Sequence, residues 1–175
     1  MKNKTLTKRL CRAGVIAALY VALTYAFMPF AFGPFQVRPA EALCILPLFF
    51  PEAIPALFIG CALSNIASPY ALYDIFFGAT ATLVAAVATY AVGRLFQKDW
   101  LKITIGGLFP VLINAFVIPL VIVFLYSGGE GYDSLTIAYF TYVGSIFLTE
   151  AVWVYALGTP LYLGIKRLLK GRNVG

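Results

Sequence analysis

Seven polar residues stand inside or beside long apolar runs, where side chains of their kind are costly: Gln36, Arg38, Glu41, Asn65, Asp74, Asn114 and Glu150. A charge within a membrane segment costs about 2.5–3.5 kcal/mol on insertion scales, so such groups face a cavity or a partner. The chemistry open to this set is binding. Histidine is absent, and Cys11, Cys44 and Cys61 are dispersed through apolar stretches. They form no metal-ligand spacing or disulfide framework, and the usual nucleophile–base pair cannot be assembled. There is no GxxxxGK[ST] phosphate loop and no nucleotide fingerprint, so no cofactor is expected.

Each of the seven also has a purely structural reading. Glu41 follows Pro39 and can complement a helix dipole in the first turn. Asp74 can cap the helix it opens. Arg38 can pair with Glu41 three residues on, and Asn65 and Asn114 can be interhelical hydrogen-bonding glue. Glu150 resists this treatment, being flanked by apolar residues near mid-depth with no capping role to play. Glu52, after Pro51, reads as a helix-start residue. Tyr139 and Tyr142 lie on the helix that carries Glu150 and could stack on a planar ligand, although most aromatics in such a chain are packing or interfacial residues.

The elements that must position these residues are membrane helices. The 175 residues are 62% hydrophobic and 11% charged, whereas soluble domains carry about 25% charged residues. That excludes a soluble enzyme or a secreted module and leaves one membrane domain, 1–175. Residues 13–32 form twenty uncharged positions, enough for one helix across a core about 30 Å thick. This run is long for a signal peptide and no small-residue cleavage site ends it.

The proline-rich stretch 39–67 reads either as one helix or as two short ones meeting near Pro51 and Glu52. The basic residues choose. Lys2, Lys4, Lys8, Arg9, Arg12, Arg94, Lys98, Lys102, Lys166, Arg167, Lys170 and Arg172 all fall on one face only in the six-span reading, leaving Arg38 alone opposite. By the positive-inside rule, six helices with both termini cytoplasmic are predicted, over roughly 10–32, 39–50, 52–68, 74–94, 102–127 and 136–165. The net charge of +6 then belongs to membrane orientation rather than nucleic acid, and the acidic loop 128–133 lies outside. The second helix is too short to cross alone and is expected to be broken and packed against protein. Five of the seven polar residues fall at outward helix ends, so one outward-facing pocket can collect them.

The stretch FGPFQVRPAEALCILP from Phe32, then PEAIPALFIGCALSNIAS and LYDIFFGATATL, resembles the QueT family. The likeness runs from the ALY of the first helix to ALGTPLYL near the C-terminus. Proteins of that family are substrate-binding components of energy-coupling factor (ECF) transporters for queuosine precursors. The resemblance implies a six-helix fold in the bacterial cell membrane, an outward-facing site, a transmembrane coupling subunit and two cytoplasmic ATPases. It implies a 7-deazaguanine ligand, whose N–H edge suits a carboxylate, whose acceptors suit Asn, Gln or Arg, and whose aminomethyl form suits a second carboxylate. It also implies docking of the coupling subunit on small residues of the first helix, where Ala13 and Ala17, and Gly14, Ala18 and Ala22, recur at a spacing of four. Two competing readings are a stand-alone proton-coupled carrier relaying through Glu150 and Asp74, and an intramembrane enzyme using paired carboxylates. No obvious internal repeat supports the first, and no nucleophile or metal site the second.

Overall fold

The structure, a computed structural model, describes residues 2–32, 36–125 and 131–172. The described residues are helical and contain no strand. The chain runs through α1 (Lys2–Ala26), a short α2 (Met28–Ala31), a 3-10 helix (Pro39–Leu48), α3 (Ala53–Ser64), α4 (Ala71–Tyr73), α5 (Ala79–Leu95), α6 (Asp99–Leu120), α7 (Leu135–Ala151) and α8 (Gly158–Arg172). Three π-helical segments interrupt the α-helices, at Asp74–Gly78, Val121–Leu125 and Val152–Leu157.

The 3-10 helix is the hub. Pro39 stands at its start, where a missing N–H costs nothing, and Pro47 near its end cannot donate to a preceding carbonyl. Every residue from Pro39 to Pro47 is buried. At about 2.0 Å rise per residue the segment spans roughly 20 Å, so it is short for a bilayer core. The expected short second helix is therefore present in 3-10 rather than α form. It is sheathed by α1, α3, α5, α6, α8 and the segment Val152–Leu157. Outside this rod, α1 packs on α3, α3 on α5, α5 on α6 and α6 on α7.

Two ends of the bundle can be told apart by their contacts. At one, Arg12 Nη1 donates to Glu52 Oε1 at 2.7 Å and its guanidinium lies 4.0 Å from the centre of the Phe50 ring. At the same end Tyr162 donates to Asp99 at 2.8 Å, Lys166 pairs with Asp99, and Phe49 packs on Tyr162 at 4.6 Å. At the other end Val37 N–H donates to Phe30 O at 3.0 Å, and Tyr25 reaches Leu63 O at 3.3 Å. The chain therefore turns at 49–52 beside Arg12 of α1 and Tyr162 of α8. Glu52 is more than a helix-start residue: its side chain makes no capping bond and instead pairs with Arg12.

Among the described residues, four helices are long and apolar enough to cross a membrane, at Thr5–Ala26, Ala71–Leu95, Asp99–Leu125 and Leu135–Gly171, with shorter apolar helices at Pro39–Leu48 and Ala53–Ala67. Large apolar side chains cover the outside, among them Leu19, Phe30, Ile59, Phe76, Phe116, Phe140 and Leu148. A water-facing surface would not carry so continuous an apolar coat, and these features make the chain a multi-pass membrane protein.

The small-residue strip of α1 is divided by the packing. Ala13 and Ala17 pack into the core beside α3, and a Cβ on Gly60 would come within 3.2 Å of Ala17 O. Gly14, Ala18 and Ala22 remain exposed. The acidic loop expected at 128–133 lies outside the described residues as far as Glu130.

With the exposed Cys11 replaced by serine and Cys44 and Cys61 buried, a cysteine introduced at 52 or 98 should react with an impermeant maleimide from the same side of the membrane, and one at 131 from the opposite side. Labelling of 52 and 131 from one side would contradict the hairpin.

Candidate functional site

All seven polar residues singled out from the sequence are buried, none more than 7% exposed: Gln36 6%, Arg38 5%, Glu41 2%, Asn65 0%, Asp74 6%, Asn114 4% and Glu150 3%. The 3-10 winding explains one part of the arrangement. Residues three apart eclipse in such a helix, which stacks Cys44 over Glu41 so that its thiol donates to Glu41 Oε2 at 3.1 Å. From α1, the Tyr20 hydroxyl donates to the other oxygen, Oε1. From α6, Asn114 Nδ2 lies 3.5 Å from Glu41 Oε2 and 3.0 Å from Glu150 Oε1, so one amide bridges two carboxylates. Glu150 reaches this point in the last turn of α7, two residues before the π segment Val152–Leu157. Such segments re-aim side chains and recur at functional sites.

A second group lies where α3 ends and α4 runs into the π segment Asp74–Gly78. Asn65 Nδ2 donates to Asp74 O at 2.7 Å, and the Ser68 hydroxyl donates to Asp74 Oδ2. Asp74 sits inside the turn, after α4 has begun at Ala71, so it is not the N-cap the sequence allowed. Cys61 joins the groups: it lies 3.5 Å from Asn65 Nδ2, accepts from Thr82 at 3.3 Å and is also hydrogen-bonded to Tyr20.

Arg38 ties the two groups electrostatically. Its Nε donates to Ala31 O at 2.8 Å, its guanidinium stands 4.9 Å from the Phe32 ring centre, and its charge acts on Glu41, Asp74 and Glu150. No Arg38–carboxylate ion pair forms within 4.0 Å among the described residues, so the simple pairing with Glu41 is not made. Gln36, beside it, holds a positive φ of 48°, a conformation side chains other than glycine rarely adopt. Strain of that kind persists where the surroundings enforce it and clusters at ligand sites.

Two buried polar atoms have no hydrogen-bond partner among the described residues: Glu150 Oε2 and Asn65 Oδ1. Leaving such an atom unmet costs about 1–3 kcal/mol, more when charged. Both are acceptors. The cluster also holds three carboxylates against one guanidinium, so its unmet demand is for donors and positive charge.

The structure does not bring Tyr139 and Tyr142 to this cluster. Tyr139 donates to Phe116 O at 3.2 Å and packs on Phe124 and Phe140, while Tyr142 packs against Tyr132. Conversely, Tyr20, Cys44, Cys61, Ser68 and Thr82 belong to the network without having been singled out. Only Cys44 left a signal in the sequence, its spacing of three from Glu41, and reading it required knowing that the segment winds as a 3-10 helix.

Gly78 shows how tightly Asn65 is held. A Cβ there would lie 2.8 Å from Asn65 Nδ2, which cannot swing away without abandoning Asp74. Gly78→Ala should therefore destabilise the protein by about 1–3 kcal/mol, read as a lowered thermal midpoint in detergent. An unchanged midpoint would show that Asn65 is free to move.

A family model described as QueT transporter matches residues 10–167. No curated protein and no solved structure matches the chain.

Proposed function

The chain belongs to the QueT transporter family, and from that premise we propose that it is the solute-binding component of an ATP-driven ECF importer in the bacterial cell membrane, with a cationic, donor-rich 7-deazaguanine such as 7-aminomethyl-7-deazaguanine as its solute. The observation that carries the reading is the pair of buried acceptors without partners, Glu150 Oε2 and Asn65 Oδ1, in a cluster rich in carboxylates. A 2-amino-4-oxo base edge offers adjacent N–H donors to a carboxylate, and an ammonium adds the charge that three acids and one guanidinium invite. Arg38 and the side-chain amide of Gln36 are the donors for the base carbonyl. Six crossings follow from this reading, with the short helices Pro39–Leu48 and Ala53–Ala67 forming the inner hairpin.

Energy would come from outside the chain. Two ATPases and a transmembrane coupling subunit are the proposed partners, and the exposed strip Gly14, Ala18 and Ala22 is the proposed docking face. Close approach of transmembrane helices requires such small side chains. Ala13 and Ala17 are occupied by α3 and leave this role to their neighbours.

Glu150→Gln preserves shape and removes the charge. It should weaken binding of the aminomethyl base by about 1.5–3 kcal/mol, or roughly ten- to a hundredfold in Kd by calorimetry; unchanged affinity would reduce Glu150 to a structural residue. Ala18→Trp and Ala22→Trp should leave that affinity within about twofold of the unmodified chain while abolishing ATP-dependent uptake by the assembled transporter. Normal uptake by the double variant would move the docking face elsewhere. Uptake by the isolated chain in liposomes under a pH gradient would favour a self-contained carrier instead.

A further inference from the structure

Glu41 and Glu150 are bridged by one amide, yet their free valences differ. Both oxygens of Glu41 are engaged by protein donors: Oε1 by the Tyr20 hydroxyl, Oε2 by the Cys44 thiol at 3.1 Å with Asn114 Nδ2 at 3.5 Å. Glu150 has one oxygen held by Asn114 at 3.0 Å and the other unmet. An acid whose acceptor sites are already filled is a poor contact for a solute, while one held by a single oxygen presents the other. The division of labour between the two acids is thus written in their partners.

We propose that Tyr20 is a positioning residue for solute binding, holding Glu41 so that Glu41 fixes Asn114 and Asn114 aims the free oxygen of Glu150. The inference rests on the reading of the buried cluster as a solute site. Tyr20 is suited to the task because it cannot move. It is wholly buried, its main-chain carbonyl accepts from Thr24 at 2.9 Å, and its Cβ abuts Gly60, where an added Cβ would come within 2.9 Å. Its hydroxyl is therefore a fixed donor, and a carboxylate that accepts from a fixed donor is itself fixed. Asn114 then has both hydrogens committed, one to each acid, which sets the amide plane and with it the rotamer of Glu150. The chain of bonds runs through α1, the 3-10 helix, α6 and α7, so a displacement of α1 would be transmitted to the solute contact.

The test is a double-variant cycle on the purified full chain, with 7-aminomethyl-7-deazaguanine as the calorimetric probe. Phenylalanine keeps the same Cβ against Gly60 and the same ring, so Tyr20→Phe removes only the hydroxyl. It should weaken binding roughly three- to tenfold, and Cys44→Ala should weaken it in the same sense. Introduced into Glu150→Gln, Tyr20→Phe should change Kd by less than about twofold, because the group it positions has lost its charge. An equal loss in both backgrounds, or no loss in either, overturns the proposal. Failure of the unmodified chain to bind the probe would instead defeat the reading of the solute, and infrared spectroscopy would decide the inference. The carboxyl band lost in Glu150→Gln should shift in Tyr20→Phe, and an unshifted band overturns it.

Discussion

A carboxylate enclosed by a membrane-embedded bundle has no water to turn to, so the protein must supply its hydrogen-bond donors. Glu41 is that carboxylate. It stands on a helix whose residues 39–47 are all buried, and its two oxygens draw donors from α1, from its own helix and from α6. Burial without such partners would cost several kcal/mol. Much of the inner architecture follows from meeting that demand: a rod thin enough to be surrounded, a tyrosine locked against a glycine, and an amide shared between two acids.

The same constraint explains why the hub is a 3-10 helix. Neighbours crowd it on every side, and Pro47, inside the helix, has no N–H to give to an α-helical hydrogen bond. Winding at three residues per turn gains length per residue and eclipses Cys44 on Glu41. The neighbouring helices bend locally to deliver their polar groups. Asp74 opens one π segment and Glu150 lies two residues before another, so the irregular turns fall where a side chain has to be aimed inward.

Much of this was legible in the sequence because polar residues in apolar runs are conspicuous. Gln36, Arg38, Glu41, Asn65, Asp74, Asn114 and Glu150 are all buried, and the turn at 49–52 lies beside Arg12. What was not legible depended on rotation about helix axes. Tyr20, one aromatic among many, could not be told from packing, and Tyr139 and Tyr142 share a helix with Glu150 without sharing its cluster. Likewise the small residues of α1 read as one broad strip, whereas α3 takes Ala13 and Ala17 and leaves Gly14, Ala18 and Ala22 outside. Spacing specifies a face, but only the neighbouring helix decides which part of that face is used.

We propose that this cluster, with more acids than bases and with unmet acceptors, selects a cationic donor-rich base. Native mass spectrometry of the chain purified in mild detergent, from cells given equal amounts of 7-aminomethyl-7-deazaguanine and its uncharged 7-cyano counterpart, tests it most directly. A one-to-one complex carrying the mass of the aminomethyl compound, diminished in Glu150→Gln, is the expected result. Retention of the uncharged compound in its place, at equal strength with and without the Glu150 charge, would contradict it.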